Sequence, residues 1–233
     1  AQEKEITERC RYEANPWLEH TGWERHIKEY RSWVVQQIRE VNVEETSDES
    51  SEDQIDSERA LGRASKGTAI LIRRSFEASR VEIVGRHALH CINRRENGAA
   101  DSNKPFYSKQ KVQTIRKYIS VWVKVLRYIW RTEAIADRPQ YRLTSTQKQA
   151  LDGLRQAAGE GGSVALQTSI VEACSAFWVA MFKHELRDDE YESGLLSGLA
   201  VLGIDNQSHG WTSALNYTPK LAAIITSMRA IVV

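Results

Sequence analysis

The 233-residue chain carries 27% charged and 41% hydrophobic residues, the proportions of a folded globular protein. No apolar stretch approaches the roughly 20 residues that a bilayer-spanning helix needs. Three widely spaced cysteines, Cys10, Cys91 and Cys174, form no CxxC pair, which points to a reducing compartment and away from a disulfide framework or a cysteine-based zinc site.

The net charge of +1 conceals a strong asymmetry. Residues 1–58 carry −9, residues 59–131 carry +13 and residues 132–233 carry −3. A basic block inside a near-neutral chain speaks to partners rather than to fold.

In chain order, 15–41 reads as helix. Asn15 is the candidate N-cap, Pro16 suits the first helical position, and Trp17, Trp23, Ile27, Tyr30, Val34 and Ile38 recur at helical spacing. Residues 44–57, EETSDESSEDQIDS, hold one apolar side chain. They are expected to form an acidic mobile linker, because they bury too little surface to offset ordering entropy. Thr46 and Ser50 each precede an acidic residue by three places, a context acidophilic kinases accept.

A long helix is expected over 58–93, interrupted near Gly67 or Gly85, with strand as the alternative for AILIRRSFEASRVEIV. Residues 97–105 read as loop. The clearest helix is 108–132. Val112, Ile115, Ile119, Trp122, Leu126 and Ile129 fall on one face. Lys109, Lys117, Lys124, Arg127 and Arg131 lie within about 80° on the other.

Further helices are expected at 144–158, capped by Thr144 with Gln147 at the capping-box position, and at 164–184. Another runs 191–202, capped by Asp188 or Asp189, with Gly203 at its C-terminus, and a last one follows Pro219. The organisation is therefore an N-terminal helical segment (1–43), the acidic linker (44–57) and a helical domain (58–233), basic in its first half. The fold class is all-α, an irregular bundle of about eight or nine helices with Trp17, Trp23, Trp122 and Trp178 in or beside the core.

No complete catalytic motif appears. GRASKGT (62–68) places its lysine before the glycine, the wrong order for a phosphate loop, and reads as a helix break. GEGGS (159–163) lacks the lysine and reads likewise. His87, His90 and Cys91 are close but lack a fourth ligand, so they are expected in the core and no metal or other cofactor is assigned. Asp188, Asp189 and Glu190 suit a helix N-terminus. The chain is therefore expected not to be an enzyme.

Nucleic-acid binding needs cations for phosphates and aromatics for unpaired bases. The expected contact residues are Arg73, Arg74, Arg80, Lys109, Lys117, Lys124, Arg127 and Arg131, with Tyr118, Tyr128 and Trp130 interleaved. The alternative is a scaffold whose basic face meets an acidic protein partner or the chain's own acidic loop. A degenerate recombinase-like DNA clamp is a third reading, without an Arg/His/Tyr set to support it.

Several phrases occur together and in order: NPWLEHTGWERHI (15–27), KYISVWVKVLRYIWRT (117–132), RPQYRLTSTQKQAL (138–151) and DDEYESGLLSGLAVLGI (188–204). GW (210–211) and NYTPKLAAII (216–225) follow. Nearly the whole chain resembles the helical region of fungal proteins that carry a C2H2-type finger upstream and, in some members, a telomere-linked RecQ-type helicase downstream. The resemblance rests on Trp, Pro and Tyr landmarks and carries no functional residues over. It implies a nuclear setting and association with subtelomeric or mobile DNA, with DNA as partner. It also fits a chain that lacks an initiator Met and stops inside an apolar helical pattern, as a piece of a longer protein would.

Overall fold

A computed structural model describes residues 32–41, 52–78, 111–135, 141–160, 164–183, 193–204, 212 and 214–232. Among them the chain is mostly α-helical and without strands, with seven helices rather than eight or nine. They are α1 (Ser32–Gln36), α2 (Glu52–Ala78), α3 (Val112–Thr132), α4 (Ser145–Gly159), α5 (Val164–Phe182), α6 (Gly194–Val201) and α7 (Ala214–Val232). The expected core residues Trp17 and Trp23 lie outside the described residues, as do Gly85, His87, His90, Cys91 and the acidic run 188–190.

Helix α2 is the axis, about 40 Å long at 1.5 Å per residue. Helices α3, α4, α5 and α7 all pack on it, and α6 packs on α3. Ion pairing of Glu58 with Arg131 and ring contact of Phe76 with Tyr118 show that α2 and α3 run antiparallel. Val34, Val35 and Ile38 join the same hydrophobic cluster as Leu61, Ile72 and Leu126. The N-terminal segment is thus tied into this core from at least Val34.

Two boundaries differ from the sequence-based expectation. The acidic stretch 44–57 is helical from Glu52, so six of its residues open α2. Glu52 and Asp53 complement the dipole of the first turn. Tertiary bonds then anchor the segment: Trp130 Nε1 donates to Ser57 Oγ, and Glu58 pairs with Arg131. The other difference is α7, which starts at Ala214 and carries Pro219 inside it. Tyr217 donates to the Leu199 carbonyl and Lys220 Nζ to that of Leu202. These ties to the end of α6 hold the first turns of α7 in place despite the missing proline N–H.

Helix α2 is also continuous through Gly62 and Gly67, where a break was expected. Gly67 is needed for packing rather than for a turn. A Cβ there would stand 2.5 Å from Ile170 Cγ2 and 3.0 Å from Cys174 Sγ of α5. Helix propensity and packing therefore pull in opposite directions at two glycines. Gly153 is an exposed α4 position where an added methyl would meet nothing within 4 Å, so substitution by Ala gains about 0.5–1 kcal/mol. Gly67→Ala loses about 1–3 kcal/mol through overpacking. Urea unfolding of the two variants tests this, and a stabilised Gly67→Ala would contradict the close approach.

Several expected details are present. Thr144 accepts from the Gln147 N–H at 3.2 Å, and Gln147 Oε1 accepts from the Thr144 N–H at 3.0 Å, a complete capping box. Gln147 also donates to the Ala180 carbonyl, linking the start of α4 to the end of α5. Helix α6, by contrast, begins at Gly194 rather than near Tyr191, and its N-cap is Ser193, which accepts from the Leu196 N–H, not Asp188 or Asp189 as expected. Trp122 and Trp178 are fully buried, edge to face with centroids 4.5 Å apart.

The thiol of Cys174 is fully buried between α2 and α5, where it accepts from Thr68 and donates to the Ala64 carbonyl. Burial pushes its pKa up to about 11, partly offset by the Thr68 hydrogen bond. A raised folded-state pKa stabilises the fold below the unfolded thiol's pKa, near 9, and that stability is lost as pH rises toward 11. Burial raises the Tyr217 phenol as well, reinforcing the trend. Unfolding free energy should therefore decline above pH 9, and Cys174→Ala should flatten the decline between pH 9 and 11. An unchanged slope in that variant would assign the effect elsewhere.

Candidate nucleic-acid interface

The basic face of α3 has two different halves. Toward the C-terminus its cations are paired within the chain. Arg131 is 10% exposed and makes a bidentate pair with Glu58, Nε to Oε1 at 2.8 Å and Nη2 to Oε2 at 2.7 Å. Its Nη1 donates to the carbonyls of Gln37 and Arg39, both at 2.7 Å. The guanidinium therefore fastens the N-terminal arm to the junction of α2 and α3. Arg127 pairs with Glu40 at 3.1 Å, its side chain 15% exposed against 85% for the carboxylate.

Toward the N-terminus the same face opens. Arg116 and Lys117 are exposed and Lys124 is half-buried. Across from them on α2, Lys66 and Arg73 recur at seven-residue spacing on one side, and both are exposed, as is Arg74. None of these has an ion-pair partner among the described residues. Arg80 and Lys109 lie outside the described residues.

The two helices and the turn 38–40 border an open groove of about 710 Å³. Arg39, Lys66, Arg116, Lys124 and Arg127 line it, and Glu40 is the single carboxylate among the described residues there. Ser65 and Ser120 also line it, and the Ser65 hydroxyl is shielded without a hydrogen-bond partner among the described residues. The floor is apolar, with Ala69, Ile119 and Val123. From Arg116 to Arg127 the cations extend over about 16 Å of α3, the axial rise of about five base-pair steps of a duplex.

Three groove cations were not among the expected contact residues. Arg116 lies only about 20° beyond the arc of the stripe, so a wider arc would have included it. Lys66 belongs to the basic segment, but only the packing of α2 against α3 turns it toward Lys124. Arg39 sits in the acidic N-terminal third and carries no sequence signal.

The interleaved aromatics do not form a stacking platform. Tyr128 is fully buried with its hydroxyl 2.8 Å from that of Ser197. Trp130 is 2% exposed beneath the Arg155 guanidinium, 5.4 Å from its ring centroid. Tyr118 packs against Phe76. Arg63, another cation of the segment, donates to the Ala158 and Gly159 carbonyls and caps α4. No cluster of three or more metal-ligating side chains occurs among the described residues, and none of their helices is long and apolar enough to cross a membrane.

Comparison with protein-family models, curated proteins and solved structures gave no match.

Proposed function

We propose that the chain is a non-catalytic nucleic-acid-binding module that grips the phosphate backbone of a duplex along the α2–α3 groove. The observation carrying this reading is the convergence of five cations from three segments on one concavity, against one carboxylate among the described residues. Burial of Tyr128 and Trp130 favours phosphate contact over base stacking. Binding is accordingly weakly sequence-specific and strongly salt-dependent. The ordered Trp, Pro and Tyr landmarks support a fungal, nuclear setting in a telomere- or mobile-element-associated protein, with any catalytic work done elsewhere in that protein.

Neutralising Lys66, Arg116, Lys117 and Lys124 together with Gln should lower duplex affinity by two orders of magnitude or more. It should also reduce the slope of log K against log salt by about 0.9 for each phosphate that the variant no longer neutralises. Fluorescence anisotropy across a salt series measures both. Unchanged affinity in a folded variant sinks the reading. Arg131 is left intact in this test because its removal would damage the fold.

A second reading has its own support. Arg127 with Glu40 and Arg131 with Glu58 show that part of the basic face pairs within the chain. On this reading the remaining cations meet an acidic protein partner or the acidic run 44–51. Deleting 44–51, which spares α2, distinguishes them. A sharp rise in duplex affinity marks self-pairing, and no change marks an external role.

A further inference from the structure

Glu40 is the one anion among the described residues lining the groove. Its carboxylate is mostly solvent-exposed, so the fold does not depend on burying it. It nonetheless sits 3.1 Å from Arg127, whose own side chain is largely enclosed. Arg39 precedes it, Lys124 and Arg116 follow the same groove along α3, and Lys66 faces them from α2. A carboxylate oxygen on a guanidinium stands where a phosphate oxygen would, since both anions offer paired oxygens to the arginine fork. The tether of Glu40 is also firm: the Arg39 carbonyl is held by Arg131, so the chain cannot drift from the groove without breaking that bond.

We infer that Glu40 is a resident competitor in a polyphosphate-binding groove, occupying Arg127 until an incoming phosphate displaces it. Resting on the phosphate-binding reading above, this adds a named groove geometry and a built-in setting of affinity. Ligand binding exchanges one exposed ion pair for a contact with a more highly charged anion. Arg127 becomes a direct phosphate ligand only in the bound state. The Ser65 hydroxyl, shielded and without a partner among the described residues, and the Ser120 side chain line the same groove. Clustered phosphates are the shared chemistry, whether in a duplex backbone or in a small polyphosphate.

The full chain is titrated with a short random-sequence duplex and, separately, with inorganic tripolyphosphate. Wild type, Glu40→Gln, Arg127→Gln, the double variant and Lys66→Gln are compared at fixed ionic strength, with thermal midpoints recorded. Glu40→Gln is expected to tighten binding about three- to fivefold, the range available from releasing an exposed pair. The gain should vanish in the Arg127→Gln background, and Lys66→Gln should weaken binding. Tripolyphosphate should displace the duplex.

An equal gain from Glu40→Gln with and without Arg127 overturns the inference, because it would be a general charge effect. So does an unchanged Glu40→Gln. If duplex binds but neither tripolyphosphate nor Glu40→Gln alters it, the groove inference falls and the nucleic-acid reading stands. If tripolyphosphate binds with the expected variant pattern and duplex does not bind, the groove inference stands and the nucleic-acid reading falls.

Discussion

Arg131→Ala is expected to destabilise the protein by about 2–4 kcal/mol, somewhat below the range for removing one partner of a fully buried ion pair, because this pair keeps some contact with solvent. The side chains of Arg131 and Glu58 are 10% and 18% exposed. The variant leaves the Glu58 carboxylate uncompensated and strips donors from the carbonyls of Gln37 and Arg39. Because the native pair is largely desolvated, its net worth is smaller than the cost of breaking it. Replacing both partners with apolar residues of similar size should therefore recover most of the loss, although the two carbonyls would still lack donors. Chemical denaturation of Arg131→Ala, Glu58→Ala and the double variant measures the coupling. Additive losses would mean that the pair is not what holds this junction. The same variant should make the segment around Gln37 and Arg39 more susceptible to proteolysis, since its anchor is gone.

Trp178→Ala should cost about 3–5 kcal/mol, by a different route. The indole is fully buried and lies against Trp122, Phe177 and Phe182, with centroid distances of 4.5, 4.9 and 6.4 Å. Its Nε1 donates to Thr68 Oγ1, a fully buried hydroxyl on the central helix. Removing the ring leaves a cavity among large rigid neighbours, which collapse poorly into the space. Trp178→Phe should lose less, because it keeps most of the packing and forfeits mainly the hydrogen bond. Against a total stability of about 5–15 kcal/mol, the alanine variant should be marginally folded. A thermal midpoint near wild type would show that α2 and α5 are held together elsewhere.

These two variants separate what fastens the groove from what supports it. Arg131 fixes the arm that carries Arg39 and Glu40 to the groove. Trp178 secures α5 against α2, on the side of the axis away from the cations. Loss of duplex binding in Arg131→Ala would therefore report lost architecture, whereas loss in the Lys66, Arg116, Lys117 and Lys124 variant would report lost charge.

The α-helical class was readable from local pattern. Ile119, Trp122, Leu126 and Ile129 follow the 3.6-residue period and are all buried, because periodicity of apolar residues is itself the packing requirement. Val112 keeps the period yet is 66% exposed at the first position of α3. The capping box at Thr144 was legible for the same local reason: Thr144 and Gln147, three residues apart, satisfy each other. Pattern also exposed the basic block and most of the stripe.

Local sequence could not reveal which cations remain available. Arg127 and Arg131 read as members of the same solvent-facing stripe as Lys117 and Lys124, yet Glu40 and Glu58 reach them from 87 and 73 residues away in the chain. Gly67 read as a helix break because the sequence shows only its missing side chain, while α5 supplies the reason that a side chain cannot be there. The acidic opening of α2 looked too polar to order, and bonds from Trp130 and Arg131 tie it down. The sequence by itself thus determined the helices and the excess of positive charge, both set by residues near one another in the chain. Only the tertiary structure decided which charges are neutralised internally and which line an open groove, because those pairings join segments far apart in sequence.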